Sequence, residues 1–280
     1  MVMRYRQALQ VQVLYWFAFE TPARLTAAMK TYGQYCPVAR AADILGERWT
    51  LLILRDILGG ARRFNQIRKG VPRMSPTLLS NRLKGLEDNG LIRRRNNPTT
   101  GVIEYTPTQA GLEVLPIVEL YGVWGQRWVR NRIGEDDLDV SQLMWYLRCG
   151  IDRRHFGPEQ SVVHFVFTDR PRLLKGSWWV DKWWLIVAED EIDLCAKDPG
   201  RDVDLYVTSD LRTMTKVTLG DMPIRAAIAS GAIELHGSRS LAKNFDRWFP
   251  RSNFADVMRP PEPLDLQRIL QTGDMTSTSD

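Results

Sequence analysis

The run MSPTLLSNRLKGLEDNGLIRRRNNPTTGVIEYTPT, from Met74 to Thr108, constrains the local fold more than any other stretch of the chain. Ser75 is a good N-cap, and Pro76 suits the first helical position because it has no N–H to leave unsatisfied there. Leu79, Leu83 and Leu86 recur at i, i+4 and i+7, an apolar stripe that must face a core. The same geometry puts Thr77, Asn81 and Lys84 on the other face, with Ser80 and Arg82 on its flanks. Asn, Ser, Thr and Arg all bond to base edges in a major groove, and the positive end of the helix at Ser75 to Thr77 suits a phosphate. Two strand-like runs follow, Leu91–Arg95 and Val102–Thr106, joined by NNPTTG, whose Asn, Pro and Gly favour a turn. This is a hairpin with a cationic arm. Arg93, Arg94 and Arg95 alternate across the strand, so two of the three are expected on one phosphate row. With Arg73 just before the helix, these residues are the candidate DNA contacts.

Upstream, Pro37 opens a short helix that ends near Gly46, and a second spans about Arg48 to Leu58, where Trp49, Leu52, Ile53 and Ile57 keep helical spacing. RFNQIRKG, Arg63 to Gly70, reads as a third. Helix, turn, polar-faced helix and basic hairpin together describe a winged helix-turn-helix, in which one helix enters the major groove while the wing follows the backbone. From Thr108 to about Arg130 the pattern predicts one long helix. Val114, Ile117, Tyr121, Trp124 and Trp128 form one apolar side, and Leu115, Val118 and Val129 a second. A single winged helix cannot bury both, so one side is expected to pack on the domain and the other on a second subunit; docking onto the chain's own second half is the competing expectation.

Charge is divided along the chain. Residues 36–133 carry 16 basic and 8 acidic side chains, whereas residues 134–280 carry 18 basic and 24 acidic. The first half suits a polyanion and the second does not. Cys36, Cys149 and Cys195 are odd in number and far apart, which argues against a disulfide framework and for a reducing cytosol. His155, His164 and His236 have no ligand-like spacing, so neither a metal nor another cofactor is expected. No apolar run reaches the roughly 18 residues a membrane span requires. The segment before Met29 makes a poor signal peptide, and residues 1–28 read as an N-terminal extension or a misassigned start.

The stretch CPVARAADILGERWTLLILRDILGGARRFNQIRKGVPRMSPTLLSNRLKGLEDNGLIRRR, with EYTPTQAGLEVLPIVELYGVWGQRW after it, strongly resembles the HxlR-type winged helix-turn-helix regulators over about residues 36–128. The resemblance implies a dimeric DNA-binding regulator. It also implies that Cys36, the cysteine before the proline, is a candidate thiol sensor, and the start of a helix is a place where a thiolate is stabilised.

After the acidic segment RIGEDDLDVS the chain changes character. SVVHFVFT, GSWWV, WWLIVA and IDLCA read as strands, followed by helices near Asp210–Leu219, Pro223–Ser230 and Leu241–Phe249, with GAIELHG as a strand between the last two. The order of elements, and the helix pair before SGAIELHG, resembles a sterol-carrier (SCP2-like) domain over about residues 162–249. That likeness implies an apolar site for a hydrophobic small-molecule effector. Trp183, Trp184, Met214, Met222 and Ile228 are the candidate lining residues, since bulky and adaptable side chains suit a concave site.

The expected architecture is therefore multidomain. A mostly helical α+β winged helix-turn-helix domain with its dimerisation helix occupies 29–133, a linker 134–141, an α+β SCP2-like domain 142–250 and a flexible tail 251–280. The expected function is a cytoplasmic, DNA-binding homodimeric regulator, acting as a repressor on double-stranded DNA. A small-molecule-binding interaction protein with a repurposed winged helix is the alternative. No Gly-x-Ser-x-Gly, nucleotide loop or paired acid and base near a nucleophile points to an enzyme.

Overall fold

The computed structural model describes residues 31–130, 133–157, 159–169, 180–189 and 191–258. The proposed extension at 1–28, the pair Trp178–Trp179 and residues 259–280 lie outside the described residues.

The first core is built from α1 (Pro37–Leu45), α2 (Thr50–Leu58), α3 (Phe64–Gly70), α4 (Pro76–Asp88) and an antiparallel hairpin of β1 (Ile92–Asn96) and β2 (Ile103–Pro107). Ile53, Leu54 and Ile57 of α2, Ile67 of α3 and the leucine stripe of α4 meet in it. Each of those buried leucines contributes about 1.5–3 kcal/mol relative to exposure. Tyr105 of β2 is buried there too, and its N–H donates to the Arg62 carbonyl at 2.7 Å, tying the hairpin to the turn between α2 and α3.

The long helix expected from Thr108 is two helices, α5 (Gln109–Leu112) and α6 (Leu115–Trp128). Pro116 is the reason. Without an N–H it is tolerated in a first turn and not in a helix interior, so the chain starts a new helix around it. Val114, at the joint, turns into the first core and is 5% exposed, so it parts from Ile117, Tyr121, Trp124 and Trp128, with which its spacing grouped it.

The second core lies on one face of a five-stranded sheet ordered β5-β4-β3-β6-β7, comprising β3 (Ser161–Phe167), β4 (Lys182–Val187), β5 (Ile192–Cys195), β6 (Leu205–Ser209) and β7 (Ile233–Gly237). β3 and β6 are parallel and the other pairings antiparallel. Against Val163, Phe165, Leu185 and Val207 pack residues of α7 (Val140–Gly150), α8 (Leu211–Leu219), α9 (Ile224–Ala229), α10 (Arg239–Lys243) and α11 (Phe245–Trp248). The single helix expected over Leu241–Phe249 is interrupted at Asn244. On the opposite face Val162, Trp184 and Ile186 cluster, and the His164 ring stacks on Trp184 with centroids 4.4 Å apart.

The segment read as a linker is structured. Leu138 and Val140 are buried in the second core, and Asp139 caps α7 by accepting from the Gln142 N–H at 3.0 Å. α7 itself, not recognised in the sequence, belongs to both cores. Leu143, Met144 and Leu147 join the second, while Trp145 enters the first. The Trp145 ring also receives Lys69 of α3 and Arg148, at 5.7 and 5.0 Å from its centroid.

α6 makes a further junction. A Cβ on Gly122 would fall 2.2 Å from the Phe254 ring, so glycine allows that close approach. Gln126 Nε2 donates to the Leu219 carbonyl at 3.2 Å, and Arg130 pairs with Asp221. The Tyr146 hydroxyl donates to the Arg251 carbonyl. The chain is thus packed beyond residue 250, where the tail was expected to begin.

Candidate nucleic-acid interface

α4 is built as its sequence implies. Ser75 Oγ accepts from the Leu78 N–H at 3.3 Å, Pro76 follows, and Leu79, Leu83 and Leu86 turn inward. Thr77, Ser80, Asn81 and Lys84 are consequently all exposed on the outer face, with Ser75 at its start. A helix of 13 residues is about 20 Å long, enough to follow a stretch of major groove.

The hairpin stands beside it. Asn97 Oδ1 accepts from the N–H groups of Thr99 and Thr100 at 2.9 and 3.2 Å, and Gly101 takes φ +65, which only glycine adopts without strain. Arg93, Arg94 and Arg95 are all exposed. The register places Arg94 across from Tyr105, and Arg93 and Arg95 across from Thr106 and Glu104. So the strand does divide them by face. Glu104 accepts from Asn97 Nδ2 at 3.2 Å and lies 3.9 Å from Arg63 Nε, which adds one acid to the side carrying Arg95.

Two predicted contacts are held elsewhere. Arg82 pairs with Glu47, in the turn between α1 and α2, and its side chain is only 29% exposed. It braces α4 against that turn, because its position flanks the outer face and an acid is within reach. Arg73 is bound by the junction before α7: its Nη2 donates to the Asp136 carbonyl and its Nε lies 4.0 Å from Asp139 Oδ2. Half-exposed, it remains in contact with solvent.

Cys36 is the N-cap residue of α1. Backbone N–H groups of Ala39 and Val38 hold its thiol below the usual cysteine range. On α6, Ile117, Tyr121, Trp124 and Trp128 are exposed, and so is Leu120, which the sequence reading passed over although it stands four residues before Trp124. Leu115 and Val118 pack on the first core. The two faces of this helix therefore differ: one lies on its own chain, against the first core and against Leu219 and Phe254, and the other is open.

The residues predicted to line an apolar cavity separate. Trp183, Met214, Met222 and Ile228 belong to the second core, with Met214 fully buried. Trp184 does not join them, because adjacent strand residues face opposite ways and its indole lies against His164. A shallow pocket of about 160 Å³ lies at Arg153, Phe156, Gly157, Val187, Ala188 and Glu189, sharing no residue with the predicted set. No group of His, Cys, Asp and Glu among the described residues is arranged to hold a metal ion. Nor is any helix among them long and apolar enough to cross a membrane.

A helix-turn-helix with an arginine-bearing hairpin beside its second helix places the chain in the class of winged helix-turn-helix proteins. The model of the HxlR-like helix-turn-helix family matches residues 44–133. YvaP of Bacillus subtilis, an uncharacterized HTH-type transcriptional regulator, is 39% identical over 98 residues, which are 34% of this chain and 91% of that protein. YodB of the same organism, an HTH-type transcriptional regulator, is 33% identical over 95 residues, 33% of this chain and 85% of its own. The structure of reduced YodB aligns at 30% identity over 35% of this chain and 98% of its own, with a TM-score of 0.31. The chain belongs to the HxlR-like helix-turn-helix family.

Proposed function

We propose that this chain is a DNA-binding transcriptional regulator that occupies operator DNA as a dimer and represses, with its second domain receiving a hydrophobic effector. The observation that carries the reading is the open polar face of α4, with Thr77, Ser80, Asn81 and Lys84 all outward, beside three exposed arginines on the hairpin. Side chains of that kind pair with base edges, and the wing cations neutralise phosphates, so helix and wing divide specificity from affinity. The exposed stripe of α6 supports the dimer. In a two-fold pair it would present two copies of α4 to half-sites about 34 Å apart or a multiple of that.

For the effector, the support is the sequence's resemblance to a sterol-carrier domain, together with a pair α8–α9 before edge strand β7 and a core carrying Trp183, Met214, Met222 and Ile228. Met214 is fully buried, so a ligand would have to part these side chains, which methionine's flexible thioether permits. Effector binding regulates only through different affinities for the DNA-competent and DNA-incompetent arrangements. Cys36, with its lowered thiol pKa, is the second proposed input.

One assay tests all three parts: binding of the full chain to labelled duplex from its gene's own upstream region, with competitor DNA, across a salt series. We expect sequence preference, and a loss of about 0.9 in the log–log salt slope for Lys84→Gln and for Arg94→Gln where each neutralises one phosphate. Unchanged affinity and slope in both variants would overturn the DNA-binding reading. Affinity indifferent to added fatty acids or sterols removes the hydrophobic effector, and indifference to mild oxidation removes the Cys36 input.

A further inference from the structure

Arg73 closes the turn between α3 and α4, two residues before the N-cap of the helix proposed to enter the groove. A cation there is well placed for a backbone phosphate. In this fold, however, it is already bound, by the carbonyl of Asp136 and the carboxylate of Asp139. The chain around those two residues, Glu135–Asp139, carries four acidic residues in five positions. It is also fixed in place. Leu138 and Val140 are buried in the second core, and Asp139 is the cap of α7, its Oδ1 engaged with the Gln142 N–H while Oδ2 faces Arg73. On the same flank, Trp145 of α7 enters the first core and takes Lys69 over its ring.

We infer that the acidic junction Glu135–Asp139 is an internal rival for DNA phosphate at Arg73, so that the arrangement described here is a weaker-binding one, set by the second domain. This rests on the DNA-binding reading of α4 and the hairpin. The competition is electrostatic: a guanidinium whose charge is already compensated by the Asp139 carboxylate gains less from a phosphate, and that carboxylate, held by its bond to the Gln142 N–H, repels an approaching phosphate row. Because Leu138 and Val140 are core residues of the second domain, any change in that core which moves the start of α7 also changes how tightly Arg73 is held. That gives the second domain a direct contact with the DNA-reading unit, without a long relay.

A double-mutant cycle on the full chain tests this, with duplex affinity measured at several salt concentrations. Asp139→Asn removes the charge and keeps a good N-cap, since asparagine caps as well as aspartate. Asp139→Ser reads the same contact by a second route should the first variant melt early. We expect either change to tighten duplex binding by about three- to tenfold and to steepen the salt slope by about 0.9, the value for one more phosphate. Arg73→Ala should cost less than about twofold in the parent and about fivefold or more in the Asp139→Asn background, since Arg73 is free to engage DNA only there. Equal effects of Arg73→Ala in both backgrounds, or unchanged affinity in both Asp139 variants, would overturn the inference while leaving the DNA-binding reading intact. Absence of salt-dependent duplex binding in parent and variants alike would overturn both.

Discussion

Asp56 of α2 is the residue whose environment departs furthest from its expected chemistry. Its side chain is 8% exposed, Oδ2 has no hydrogen-bond partner, and a Cβ on Gly70 would collide with it, so α3 closes directly over the carboxyl. Burial pushes its pKa up to about 6, against the opposing pull of Arg55, whose Nε donates to Oδ1 at 3.0 Å. A folded-state pKa raised above the unfolded value makes the acid form the favoured one. Its contribution is complete below pH 4 and is lost as pH rises through about 6, an amount of about 3 kcal/mol for a shift of roughly two units. Asp56→Asn cannot ionise, so the variant should gain on the parent by about that much between pH 4 and pH 7. Denaturant melts at the two pH values check this, and a constant difference between the proteins would exclude it. None of this was legible beforehand, because it depends on the closure of α3 over the carboxyl.

At the scale of elements, α4 and α6 had equally clear periodicity and differ in how far that periodicity was sufficient. For α4 the leucine spacing, Ser75 and Pro76 specify cap, buried stripe and outward face together, because a helix lying on one core has one inside and one outside. For α6, two apolar sides could not be assigned from spacing, and Pro116 moved the helix start so that Val114 faces inward. The side holding Gly122 and Gln126 is covered by the second domain. The side with Ile117, Leu120, Tyr121, Trp124 and Trp128 is exposed by 39–69% per residue, an apolar surface of the kind that marks an interaction site. Replacing Trp124 with Asp, at 60% exposure, leaves the chain's own cores untouched. We expect sedimentation of that variant to shift from dimer toward monomer by at least tenfold in dissociation constant, since a large aromatic near the middle of an interface is commonly worth 2 kcal/mol or more, about 30-fold. A parent chain already monomeric at micromolar concentration would remove the dimer from the proposal.

Across the whole molecule, the two cores are one mechanical object because α7 is shared between them. Trp145, 6% exposed, is the side chain that crosses. Truncating it to alanine should cost about 3–5 kcal/mol, as for other buried tryptophans, and the loss falls on the junction between cores. Calorimetry should then resolve two transitions where the parent gives one. A single transition, merely lower in temperature, would mean that α6 and the Arg73 junction suffice to couple the halves. What the sequence determined by itself was the winged helix-turn-helix with the outward face of α4, along with β3, β4, β5, β7 and the helices from α8 onward in the second half, but not α7 or β6. Those properties follow from local spacing, caps and turn chemistry, which act over a few residues. What only the tertiary structure decided was how those residues are engaged: Arg73 on the acidic junction, Arg82 on Glu47, and Trp184 turned away from Met214. Each depends on chain segments distant in sequence meeting in space, and no local pattern carries that information.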